Sequence, residues 1–292
     1  MKQRIITGVI FTLVIALFII PGYWSIWPPV VLFTGVAILA AYEIVTVIRQ
    51  SKLNPSLPMA MAGSLMMLLP LVGSRVFPEA EGILRPLSGF ALTAFALLLF
   101  MTITVIALLL KRGPQNMPDA VATAAVMAYV AFPLSCPVLL LDQVPGGWLW
   151  VVIGLTSPWV SDVFAYFVGS LIGRHPIVPV LSPKKTVEGC LGGIAGCMLS
   201  QMLIFHLFQN ILGRPAITQP KYMFYALITG LVLSVASQLG DWLASGIKRW
   251  CGVKDFGYIL PGHGGIMDRF DSAFFTLPIT MIMAMLYQIL LT

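Results

Sequence analysis

The chain has 292 residues, 59% of them hydrophobic and 10% charged, with a mean hydropathy of +0.94. A water-soluble domain carries about 25% charged residues, so these charges are too few to coat a soluble surface, and disorder is excluded on the same ground. The net charge of +6 sits in short loops between long apolar runs, which argues for a helical membrane protein and against both a nucleic-acid binder and an alternating-strand barrel.

A bilayer-spanning helix needs about 20 apolar residues. Nine runs qualify, at about 5–23, 26–48, 57–77, 88–110, 119–141, 148–172, 189–212, 222–247 and 269–291. The first begins like a signal peptide, with Lys2 and Arg4. Pro21, Gly22, Tyr23 and Trp24 follow it without a small-residue cleavage pattern, so a retained helix is expected. The expected fold is all-α, a polytopic bundle of about nine transmembrane helices forming a single domain over 1–292. Within it, helices in 1–145 have few polar features, and 146–292 carries most of the unusual residues. Thirteen of the 17 Lys and Arg fall in alternate loops on one side, and only Arg75, Arg85, Arg214 and Lys221 on the other. The richer side is then cytoplasmic, with the N-terminus inside. Cys136, Cys190 and Cys197 lie in apolar runs, no Cys pair has C-x-x-C spacing, and the four cysteines read as packing residues.

Ionisable residues inside a bilayer are costly and usually functional. Glu43 in the second run reads either as a snorkelling or helix-pairing carboxylate or as a site residue. Asp162 lies in the sixth run with Tyr166 one turn on. Pro158, one turn earlier, removes the hydrogen bond to the Gly154 carbonyl. In the eighth run Ser234, Ser237, Asp241, Ser245 and Lys248 are spaced by three and four residues and share one helix face, either as helix–helix glue or as a cavity wall. Asp268 and Asp271 open the ninth run, and their spacing predicts one shared face. Carboxylates on the cytoplasmic side without a His or Cys cluster suit a hard cation such as Mg²⁺, held with the help of substrate phosphates.

Two polar loops complete the pattern. Ser182-Pro183-Lys184-Lys185-Thr186 precedes the seventh run, where lysines and hydroxyls suit phosphate. Positive-inside anchoring would also place lysines there. The last loop runs from Ser245 through Lys248, Arg249, Lys254, Pro261, Gly262, His263, Gly264 and Gly265 to Asp268, Arg269 and Asp271. Its glycines allow close backbone approach and an anion-binding nest. Metal ligands, phosphate clamps and a flexible cradle at lipid depth point to phosphoryl or nucleotidyl transfer onto a lipid.

The stretch from Ser245 to Asp271 resembles the signature of the CDP-diacylglycerol synthase (phosphatidate cytidylyltransferase) family: Lys248-Arg249, Lys254-Asp255, then Pro261-x-His263-Gly264-Gly265 and Asp268-Arg269-x-Asp271. Asp162-x-x-Ala165-Tyr166-x-x-Gly169, Ser182-Pro183-x-Lys185-Thr186-x-x-Gly189 and the Ala40-Ala41-Tyr42-Glu43 run are similar to that family as well. The resemblance covers about 145–292 closely, and the N-terminal half by helix count and length. It implies a multi-pass enzyme of the bacterial inner membrane, with its active site facing the cytoplasm. The enzyme would form a homodimer, with the N-terminal helices as scaffold and dimer contact. It would join CTP and phosphatidate into CDP-diacylglycerol and pyrophosphate, using Mg²⁺ and a monovalent cation such as K⁺.

On that reading Asp241, Asp268 and Asp271 are metal ligands and Asp162 is a ligand or orients one. Lys185, Lys248, Arg249, Lys254 and Arg269 contact phosphate, as does Lys184 beside them. Ser182, Thr186, Ser245 and Tyr166 add hydroxyls, Gly264 and Gly265 form the cradle, and His263 shapes it or binds pyrophosphate. The phosphatidate monoester already carries about −1.5 to −2 charge at neutral pH, so it needs no strong general base. An ion-coupled transporter would show paired halves with matching breaks, and none is evident. A CDP-alcohol phosphotransferase would carry an Asp-Gly-x-x-Ala-Arg core, which is missing.

Overall fold

The structure is a computed structural model that describes residues 2–76, 84–208 and 220–291. It is built almost wholly of helices: α1 Lys2–Ile19, α2 Trp27–Ile48, α3 Leu57–Ser64, α4 Pro70–Val76, α5 Leu84–Arg112, α6 Met117–Gln143, α7 Gly147–Ile172, α8 Val187–Leu207, α9 Pro220–Trp250, α10 Met267–Phe270 and α11 Ala273–Leu291. Two short strands, β1 Pro176–Val178 and β2 Ser182–Thr186, pair antiparallel between α7 and α8. The segment read from sequence as an open loop is therefore a β-hairpin. Arg214 and the end of the seventh run, 209–212, lie outside the described residues, as does the side chain of Arg85.

Among the described residues eight helices are long and apolar enough to cross a membrane. The expected third span, 57–77, is the exception. It breaks into α3, a 3₁₀ turn over Leu65–Leu68, and α4, leaving one shorter apolar helix over Leu57–Val72. Pro70 explains the break, because it lacks an N–H and its ring clashes with the carbonyl one turn back. Gln143 Nε2 donates to the Pro70 carbonyl at 3.0 Å, so the broken turn is held from α6.

Two compact units are distinguished: 1–143 with 247–270, and 144–246 with 271–292. The first is built around α2 and α6, whose Phe33, Ala37, Ala41, Ile44, Met127, Val130 and Leu134 are buried. Gly63 lets α3 lie against Met127, where a Cβ would fall about 2.6 Å from the sulfur. At the other end of α3, Ser56 N–H donates to Thr123 Oγ1 at 2.9 Å and Asn54 N–H to Asp119 at 2.8 Å.

In the second unit α7 and α8 pack with their backbones close together. A Cβ on Gly193 would lie 2.8 Å from the Ser161 carbonyl, one on Gly192 would meet Val168 at 2.5 Å, and one on Gly196 would strike the Phe164 ring. Such contacts through small residues are how membrane helices associate, since lipid offers no hydrophobic drive between them. Pro158 stays inside α7. The Gly154 carbonyl that it deprives of a donor accepts instead from Thr276 Oγ1 of α11, at 2.7 Å. A hydroxyl from a neighbouring helix thus repairs the break, as backbone buried within a membrane-spanning bundle requires. Ser161 and Ser234 share a hydrogen bond of 2.7 Å, joining α7 to α9, and Trp150, Phe205, Tyr225 and Tyr287 form an aromatic cluster of edge-on and tilted contacts.

Candidate active site

The second unit holds a polar cleft of about 440 Å³. Three features assemble it. Thr186 caps α8, its Oγ1 accepting from Gly189 N–H at 3.2 Å, which fixes where the hairpin ends and the helix begins. Gly189 lies so close to α7 that a Cβ would be 2.8 Å from the Ala165 carbonyl. Glu188 then ties the far end of α7 to α8. It accepts from the backbone of Arg174 at 3.0 Å and of His175 at 3.3 Å, and it pairs with the His175 ring at 2.6 Å.

The result places Ser182, Lys184, Lys185 and Thr186 of the hairpin opposite Asp162 and Tyr166 of α7 and Asp241 of α9, all lining one cleft. Lys185 Nζ forms an ion pair with Asp241 Oδ2, and both side chains keep partial exposure, 30% and 22%. Asp162, Tyr166 and Lys184 are exposed. Ser245 lies one turn beyond Asp241, partly buried and outside the cleft wall. Gln238 was missed by sequence reading. It lines the cleft, donating to the Cys190 carbonyl at 3.2 Å and to Ser234 Oγ at 3.3 Å. Its spacing, four after Ser234 and three before Asp241, puts it on the polar stripe of α9, a signal that was available. Ser170 and Cys190 also line the cleft, and no motif marked them.

The first unit contains the glycine-rich loop, and its geometry is that of a clamp. Asp268 accepts from Lys248 Nζ at 2.8 Å through one carboxylate oxygen. Through the other it accepts from Phe256 N–H at 2.7 Å and Gly265 N–H at 2.9 Å. The Lys248 and Asp268 side chains are 11% and 4% exposed, so this is a buried ion pair. Glu43, only 2% exposed, completes the clamp from α2: its two oxygens accept from Ile266 N–H at 3.0 Å and Met267 N–H at 2.8 Å. A Cβ on Gly257 or Gly265 would collide with this carboxylate. The acceptors at three amides of the expected nest are thus the chain's own carboxylates. Glu43 proves to be a loop anchor, a role that no local pattern indicates because its partners lie more than 220 residues away.

Gly262 and Gly264 adopt positive φ, +76° and +81°, where other residues are strained. They turn the chain so that Leu260 and Gly264 bridge. Arg249 donates to the Val253 carbonyl at 3.1 Å, and Lys254 and Arg269 are exposed. The His263 ring lies against α1 at Gly8, and its Nδ1 is buried without a hydrogen-bond partner. Asp268 lies in α10, whereas Asp271 falls in the turn between α10 and α11, where its carboxylate accepts from Ser272 N–H at 2.7 Å. The single helix face expected for the two is absent, because the helix stops at Phe270.

The described residues contain no group of three or more His, Cys, Asp or Glu arranged to hold a metal. The four cysteines are free and buried. Burial pushes the Cys251 thiol, just beyond α9, above its usual range. In the cleft the donors are carboxylate oxygens, Asp162 and Asp241. One or two carboxylates completed by substrate phosphates is the usual way of holding Mg²⁺, so this donor set fits that ion in the presence of a polyphosphate.

Long apolar helices and a cleft lined by two lysines and two aspartates define a multi-pass membrane protein with a site of the anion- and cation-handling kind. The sequence narrows the class: residues 2–287 match the Cytidylyltransferase family, and the chain belongs to that family. It is 36% identical over 280 residues to the phosphatidate cytidylyltransferase of Bacillus subtilis, covering 95% of each chain. To the protein of that name from Thermotoga maritima it is 31% identical over 283 residues, covering 97% of this chain and 95% of the other. A Staphylococcus epidermidis relative of the same name matches at 42% over 133 residues, 46% of this chain and 48% of its own.

Proposed function

We propose that this protein transfers the cytidylyl group of CTP to phosphatidate, giving CDP-diacylglycerol and pyrophosphate, at the cytoplasmic face of a bacterial inner membrane. The observation that carries the reading is the cleft in which Lys185, Lys184 and Thr186 of one hairpin face Asp162 and Asp241, in a chain whose relatives are named for that reaction. In the transfer a phosphatidate oxygen attacks the α-phosphorus of CTP. One Pα–O bond forms, the bond bridging the α- and β-phosphates breaks, and pyrophosphate leaves with the electron pair. The nucleophile is already ionised, so no side chain need remove a proton.

The obstacle is repulsion between two polyanions, and the residues act on that. Lys185 and Lys184 offer positive charge to the phosphates, and Asp241 holds the Lys185 ammonium in place. Ser182 and Thr186 add hydroxyl groups at the same wall. Asp162 and Asp241 would hold Mg²⁺, which supplies charge neutralisation at the transferring phosphate when bound. Asp268 and Asp271 remain candidate ligands, and K⁺ a candidate second cation, each tested by its own variant or ion titration. The excess of Lys and Arg on one side supports a cytoplasmic active site. The functional form is proposed to be a homodimer, which cross-linking in native membranes tests.

The deciding experiment supplies purified protein with CTP, Mg²⁺ and phosphatidate and follows both products. Pyrophosphate and CDP-diacylglycerol should appear in equal amounts and only when phosphatidate is present. Pyrophosphate release without the lipid, or no lipid product, overturns the reading.

A further inference from the structure

The hairpin that carries Lys184 and Lys185 has an apolar turn. Ile177-Val178-Pro179-Val180-Leu181 contains no charged or polar side chain, and it lies between Arg174-His175 and Lys184-Lys185. Leu181 N–H donates to the Val178 carbonyl at 3.1 Å, so Pro179 and Val180 are the corner residues. Proline suits the first corner because its φ is preset. Valine at the second is unusual, since turns that face water favour Gly, Asn, Asp or Ser. Val180 is nonetheless 88% exposed.

The neighbours of the turn show where it lies. Helices α7 and α8, which the hairpin joins, are both long and apolar enough to span a membrane. A hairpin between them either stands off beyond the helix ends or lies back along the bundle. This one lies back. Lys185 pairs with Asp241, nine residues before the end of α9. Ser182, next to the turn, lines the same cleft as Asp162, ten residues before the end of α7. Ten helical residues span about 15 Å, so β2 reaches well inside the helix ends. Leu181 lies beside α9, where a Cβ on Gly246 would be 4.0 Å from its Cδ2.

Gly246 ends a stripe. Leu231, Val235, Leu239 and Leu243 of α9 are exposed and follow one another at intervals of four, the face that a spanning helix offers to lipid. Gly246 is three residues further on and shares that face, so the hairpin turn continues it. At the end of α7, Leu171 and Ile172 are exposed as well. Arg174 and Lys184, both exposed, flank the turn with positive charge. An apolar edge with cationic flanks is the division of surface by which amphipathic helices lie at the boundary of head groups and acyl chains, and long basic side chains reach from there to the phosphates.

We propose that the Pro179-Val180 turn is seated in that boundary, in the leaflet at which α7 ends, with Arg174 and Lys184 in its phosphate layer. The partner is the lipid surface itself. The seat fixes the depth of β2, and so presents the lysines of the cleft at the level of lipid phosphates. The seat stands apart from the proposed reaction; its consequence for a lipid substrate rests on that reaction.

Two measurements test it. The four native cysteines are buried, so Val180→Cys gives a fluorescent NBD maleimide one accessible thiol. In nanodiscs of phosphatidylethanolamine and phosphatidylglycerol the label should emit at shorter wavelength than in water. It should be quenched by phosphatidylcholine spin-labelled at carbon 5 of an acyl chain and protected from iodide. The same label on Lys52→Cys, exposed between α2 and α3, should be open to iodide. Equal iodide access at 180 and 52 puts the turn in water. Protection without quenching by the spin-labelled lipid makes it a contact with protein, such as a second copy of the chain. Either result overturns the proposal. This measurement needs no turnover, so it is readable even if the proposed reaction fails. The second compares Val180→Asp with Val180→Leu. Val180→Asp should raise the KM for dioleoyl phosphatidate in vesicles about tenfold, the worth of one buried valine side chain. KM for CTP and for soluble dihexanoyl phosphatidate should not move, and Val180→Leu should match wild type. An unchanged KM for the long-chain lipid, or an equal rise for the short-chain one, overturns the presenting role of the seat.

Discussion

The Lys185–Asp241 ion pair separates two roles that Asp241 has in the proposed reaction, holding the lysine and holding the cation. The perturbation is a double-mutant cycle of Lys185→Ala, Asp241→Asn and the pair together. Both side chains are partly exposed, 30% and 22%, so solvent screens the pair and its coupling should be about 1 kcal/mol, roughly fivefold in rate. Losing the charge-assisted contact of Lys185 with a phosphate should cost about 1.5–3 kcal/mol, or roughly 10- to 150-fold, expressed as a raised CTP requirement. Losing a cation ligand is of another order, about 10²–10³-fold or more in kcat, as for other groups that stabilise transition-state charge. If Asp241 only positions Lys185, Asp241→Asn in the Lys185→Ala background should change little. If it also binds the cation, the second substitution should again remove about 10²-fold or more, and the Mg²⁺ dependence should shift. The assay is conversion of radiolabelled CTP to lipid product in detergent micelles over a range of CTP and Mg²⁺. Near-normal turnover of Asp241→Asn at saturating Mg²⁺ would refute the ligand role, and an unchanged CTP dependence of Lys185→Ala would remove that lysine from the phosphate site.

The clamp in the first unit makes further predictions. Asp268→Ala removes the anion of the buried ion pair with Lys248 and the acceptor of two backbone amides and should destabilise the protein by about 3–5 kcal/mol, read as a lower unfolding midpoint in detergent; a loss below about 1 kcal/mol would show that the pair is not buried as described. Glu43→Ala strips acceptors from two largely buried amides, each costing about 1–3 kcal/mol, and hydrogen exchange at Ile266 and Met267 should accelerate while that of α7 is unchanged. Protection equal to wild type at those two amides would contradict the clamp. Gly192→Leu should separate α7 from α8 at Val168 and cost about 1–3 kcal/mol as an overpacked contact; a neutral result would mean that the two helices do not approach as closely as described.

Composition together with the long unbroken apolar runs determined that the chain is a bundle of membrane-length helices, because a bilayer leaves the backbone polar groups of such a run no other partners than their own helix. Most boundaries followed from the same rule, since a long apolar run has few ways to satisfy itself. The exceptions have local causes acting through neighbours: Pro70 breaks the expected third span only where Gln143 is at hand to hold the break, and Pro158 fails to break α7 because Thr276 serves the freed carbonyl. Which residues are ionisable, and that they gather in the hairpin, α9 and the glycine-rich loop, was likewise legible. What each carboxylate does was not. Glu43 and Asp241 look alike in sequence, as acids in apolar helices, yet one is buried on two backbone amides and the other faces a lysine across a cleft. A carboxylate's role is set by the donors that reach it. Those donors come from elements brought near only by tertiary packing, so spacing along one helix could name the acids but not assign them.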